Sequence, residues 1–84
     1  MNKPKDFNME EFEKCYLENY KYLYTVEELG IEKESEREAV SDFENRRYPD
    51  WLFAETCKVL VPPVYSDREI AAFMYAAEEM GYLK

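Results

Sequence analysis

Apolar residues recur along this chain at intervals of three and four, and no stretch sustains the two-residue alternation of a strand. The pattern predicts an all-α protein. It is a small bundle of about four helices, roughly 9–24, 36–47, 49–60 and 67–80, with a short helical turn near 26–29. The whole chain, 1–84, reads as one helical domain. Residues 1–6, with Lys3, Pro4 and Lys5, read as a loose N-terminal end.

The first helix has a marked start. Asn8 caps it, Glu11 completes a capping box, and Phe7 and Phe12 stand where a hydrophobic staple belongs. Projected on a helical wheel, Tyr22, Cys15, Phe12, Leu23, Tyr16, Met9, Tyr20, Tyr24 and Leu17 fill one broad arc. That arc covers more than half the circumference, whereas one core face needs a stripe of only about 100° or somewhat more. The first helix is therefore either the centre of the bundle or the bearer of aromatics left over for a partner. Thr25 to Glu28 repeats the capping pattern before Gly30 ends it, which predicts the separate turn.

The remaining helices follow from similar signals. Ser35 with Glu38 marks a start for the second, whose stripe of Ala39, Val40 and Phe43 is thin. Pro49 suits the first turn of the third. Leu52, Phe53, Thr56, Cys57, Val59 and Leu60 form its inner side, and Trp51 falls opposite, beside Glu55 and Lys58. Pro62-Pro63 stops it. The fourth is capped by Ser66 with Glu69, stapled by Tyr65 and Ile70, and closed by Gly81. Its Ala71, Ala72 and Ala76 predict an outer face smooth enough for another surface, with Tyr75 projecting between Arg68 and Glu79.

Composition then narrows the function. There are 19 Asp and Glu against 11 Lys and Arg, a net charge of -8, eight tyrosines and no histidine. Direct nucleic-acid binding needs a basic stripe, and Arg46-Arg47 is the only adjacent basic pair. No apolar run is long enough to span a bilayer, since Val59 to Val64 is short and contains two prolines. Cys15 and Cys57 make no disulfide framework, which fits a reducing cytoplasm and core cysteines.

Catalytic signals are absent from the pattern. Histidine, the commonest base and metal ligand, is missing. Gly30 and Gly81 read as helix terminators rather than a phosphate loop. The glutamates between 27 and 38 lack the spacing of a calcium loop. The expectation is a non-enzyme with no cofactor and no metal.

What remains are aromatics beyond the needs of the core and a concentrated acidic run. Tyr and Trp dominate contact hot spots because they bury much area at low entropic cost. The expected partner-binding residues are Tyr20, Tyr24, Tyr48, Trp51 and Tyr75, with Glu27, Glu28, Glu32, Glu34, Glu36 and Glu38. They predict a small acidic protein that acts by occupying a partner's basic surface. An inhibitor of a nucleic-acid-handling protein fits, of anti-defence or immunity type, with the acids imitating phosphates. The alternative is a non-catalytic homodimeric assembly protein with the aromatic first helix at its interface.

Overall fold

The computed structural model describes residues 3–30, 34–56 and 66–83, without the side chains of Glu34 and Ser35. It is all-α. Four helices follow in order: α1 (Met9–Glu28), α2 (Glu34–Glu44), α3 (Asp50–Thr56) and α4 (Asp67–Glu79). Glu32, Cys57, the rest of the expected third helix to 60 and the Tyr65 half of the predicted staple lie outside the described residues.

The two strongest start signals act as expected. Asn8 Oδ1 accepts from the Glu11 backbone N–H at 3.2 Å, and the Phe7 and Phe12 rings sit 6.3 Å apart. The Ser66 hydroxyl accepts from the Glu69 N–H and donates to the Glu69 carboxylate, at 3.3 and 3.0 Å. The bonds from the Glu11 and Glu69 N–H groups each satisfy a donor that the first helical turn would leave unpaired. At the far end of α4, Gly81 takes a φ of +78°. Gly81 N–H donates to the Glu78 carbonyl and Tyr82 N–H to that of Ala77, which turns Tyr82 back onto the core.

Other boundaries differ from the expectation. There is no separate turn near 26–29, because α1 continues through Glu28. The Thr25 hydroxyl donates back to the Lys21 carbonyl at 2.9 Å rather than capping a new start, and Val26 is buried as part of α1. α2 begins at Glu34, so Ser35 lies inside it and does not cap it. It ends at Glu44 rather than near 47, because Arg46 takes a left-handed φ of +56°. Arg46 and Arg47 donate to the carbonyls of Phe43 and Asp42, the same closure that Gly81 gives α4. Residues 3–6 are not loose throughout. Phe7 N–H bonds the Pro4 carbonyl at 3.2 Å, and Lys3 meets Glu55 of α3 at 3.6 Å.

The central helix is α4, which packs against both α1 and α2. Its Ala71, Ala72, Phe73, Met74, Ala76 and Ala77 are buried. The alanines expected on a smooth outer face are therefore inside, where their small side chains let two neighbouring helices approach closely. Around α4 the core divides into two aromatic groups. Phe7, Phe12, Trp51 and Tyr82 form one, and Phe43, Tyr48, Phe53 and Phe73 form the other. Phe12 and Phe73 join them edge to face at 5.8 Å.

Candidate functional site

Since α4 holds the centre, α1 buries one side only: Phe12, Tyr16, Leu23 and Val26. Of the rest of its broad apolar arc, Cys15 and Tyr20 pack partly against the core, and the far edge stays outside. Leu17 is 54% exposed and Tyr24 49% exposed. With Tyr20 they form a stripe along the outer shoulder of α1, over a shallow hollow of about 590 Å³. Glu10, Glu13, Glu18, Lys14 and Lys21 rim that hollow. Residues three and four apart share a helix face, so 10, 13, 14, 17, 18, 20, 21 and 24 line up as one continuous strip.

The C-terminal end of the strip is held by α4. The Arg68 guanidinium lies 4.8 Å from the centre of the Tyr24 ring and 5.6 Å from that of Tyr20. Its Nε donates to the Glu27 carboxylate at 2.8 Å, and a terminal nitrogen donates to the same oxygen. Arg68 is thus clamped between two rings and a carboxylate, all from α1, and the rings are fixed in turn. The hydrogen bond from Arg68 holds Glu27 below the usual carboxylate range. Glu36 of α2 shifts the other way. Burial raises it first, then its hydrogen bond to Glu27 and the charges of Glu27 and Asp67, with Arg68 opposing. When protonated, Glu36 donates to Glu27, so one carboxylate joins all three long helices.

Four predicted site residues therefore meet in one place: Tyr20, Tyr24, Glu27 and Glu36. Glu28 and Glu38 are exposed and apart from the clamp. Three aromatics are corrected. Trp51 is 9% exposed, not outward, because Phe7 and Tyr82 cover its ring edge-on at 5.3 Å each. Tyr48 is half-buried and stacks on Phe43 at 5.2 Å. Tyr75 is half-buried against the core, rather than projecting, and lines a second hollow of about 420 Å³ with Asn19, Glu78 and Glu79.

Beside that second hollow lies a network the sequence did not suggest. The Cys15 thiol donates to the Glu79 carboxylate at 3.0 Å, and the Asn19 amide donates to the same oxygen at 2.8 Å. Burial, then the Glu79 bond and charge, pushes the Cys15 thiol up to about 12. The two donors hold Glu79 below its ordinary range. Cys15 is thus a hydrogen-bonded thiol linking α1 to α4, not simply a small apolar filler.

Leu17, Arg68 and the two lysines of the strip were also missed as site residues. The signal was present for Leu17: it sits at the edge of the helical arc farthest from Phe12 and Leu23. Among the described residues no helix is long and apolar enough to cross a membrane, and no group of three or more Cys, Asp or Glu could hold a metal ion. Compared with protein-family models, with curated proteins and with solved structures, the chain matches none.

Proposed function

We propose that this is a small acidic protein-binding protein that acts by occupying a surface, without catalysis. The observation that carries this reading is the α1 stripe of exposed Leu17 and Tyr24 with half-buried Tyr20, its two rings held by Arg68 and its rim charged. Rings held before binding lose less freedom on association, and an apolar centre with a charged rim is the usual anatomy of a contact. The net charge of -8 favours a protein with a basic surface. The nucleic-acid groove of a nucleic-acid-handling protein is such a surface, and exposed acids such as Glu28 and Glu38 would stand in for phosphates there.

The test is affinity capture from the native host with the wild type and with Leu17→Glu side by side. A partner held by the wild type and lost by the variant supports docking through α1. Identical recovery by both proteins would remove α1 as the surface that meets that partner. For a partner met through the acids, association should slow as salt rises to physiological strength.

A further inference from the structure

The rim of the α1 strip is not uniformly acidic. On one flank, Glu10, Lys14, Glu18 and Lys21 alternate in sign along the helix, all exposed. Read in the opposite direction, the same ladder presents lysine where there was glutamate and glutamate where there was lysine. It is therefore its own complement in an antiparallel arrangement. The registers agree as well. The midpoint of Glu10 and Lys21 and the midpoint of Lys14 and Glu18 differ by under about 1 Å of helix rise. One twofold axis near Tyr16 thus serves all the pairs at once. With that axis, the two copies of Leu17 fall within about 4 Å of each other along the seam.

From this ladder and the exposed Leu17 beside it, we infer that the occupant of the α1 face is a second copy of this chain. The two α1 helices run antiparallel, with Glu10 opposite Lys21 and Lys14 opposite Glu18, each pair made twice. This rests on the reading of α1 as a contact surface and names what covers it. Such isologous pairing is the ordinary way for a closed dimer to form. A uniformly basic partner would meet Lys14 and Lys21 unfavourably on this flank. The acids away from the strip, Glu28 and Glu38 among them, stay exposed on both copies. The dimer carries -16, twice the -8 of one chain, toward a basic partner. A single helix pair is smaller than a standard stable interface, so the dimer is weak, with a dissociation constant on the order of tens of micromolar.

Sedimentation velocity on the full chain, from about 10 to 500 µM, tests this with two charge variants checked for helix content by circular dichroism. Lys21→Glu sets a carboxylate against Glu10 at both ends of the seam and should weaken the dimer about tenfold or more. Adding Glu10→Lys restores opposite charges at every intermolecular position and should restore the dimer. Within one helix the double variant puts a second cation one turn from Lys14 and a second anion one turn from Glu18. Relief of intrahelical strain therefore does not explain a rescue. Loss in the single variant and recovery in the double supports the pairing. A wild type that stays monomeric throughout, or three proteins that dimerise alike, overturns it. A monomer that still captures a foreign protein through Leu17 overturns the second copy and leaves the surface-occupation reading standing.

Discussion

Phe7 and Tyr82, near opposite ends of the chain, lie with ring centres 5.5 Å apart and close together over Trp51. The contact ties the N-terminal segment, the start of α3 and the exit of α4 into one aromatic group. Trp51 is its inner member.

Trp51→Ala should therefore destabilise the fold by about 3 kcal/mol or more, through lost burial and the cavity left behind. Urea unfolding followed by circular dichroism measures it. A change below about 1 kcal/mol would return Trp51 to the surface. As the single tryptophan, it should also show blue-shifted fluorescence that moves red on unfolding.

Leu17→Glu should do the reverse. Leu17 is 54% exposed, so the substitution should shift stability by no more than about 0.5 kcal/mol while disabling the α1 contact. Thermal unfolding of the dilute protein checks the first half and sedimentation at high concentration the second.

Glu36 and Glu27 should give opposite pH dependences. Glu36 is raised in the folded protein, so its contribution is fully present below the unfolded value of 4.5 and is lost as pH rises through the folded value. Above 4.5 that upward shift works against folding, so Glu36→Gln should raise the thermal midpoint at pH 7. The advantage should shrink as pH falls toward 4.5. Glu27 is lowered, so its contribution is present above 4.5 and is lost as pH falls through its folded value. Glu27→Gln should lower the midpoint at pH 7 and matter less in acid. Melting curves of both variants from pH 3 to about pH 8 decide the signs.

Cys15 should resist alkylation. With its thiol pushed up to about 12, little thiolate exists at neutral pH. In a Cys57→Ser background, iodoacetamide should label the folded protein far more slowly than the urea-unfolded one. Glu79→Gln removes the charge that disfavours thiolate and should speed labelling of the folded form. Equal rates in all three would break the proposed link between Cys15 and Glu79.

Much of the secondary structure was legible because its signals are local. Asn8, Ser66 and Gly81 act on backbone groups a few residues away, and each does what its chemistry suggests. Signals that compete locally were harder to read. Thr25 has the side chain of a cap, yet inside a continuing helix the Lys21 carbonyl is nearer than a free N–H. At Arg46, a non-glycine residue in the left-handed region carried no compositional flag.

The sequence by itself determined that the protein is helical and acidic, and that α1 has more apolar surface than one core face can use. Which helix sits at the centre was decided only by the tertiary structure. The alanines of α4 could have lain outside or in, and packing against two neighbours put them inside. That choice left Leu17 and Tyr24 exposed and brought Arg68 across from α4 to hold the rings. It also sealed Trp51 beneath Phe7 and Tyr82. Helical periodicity ranks the residues around one axis, but exposure depends on which other segments arrive, and those contacts join residues far apart in the chain.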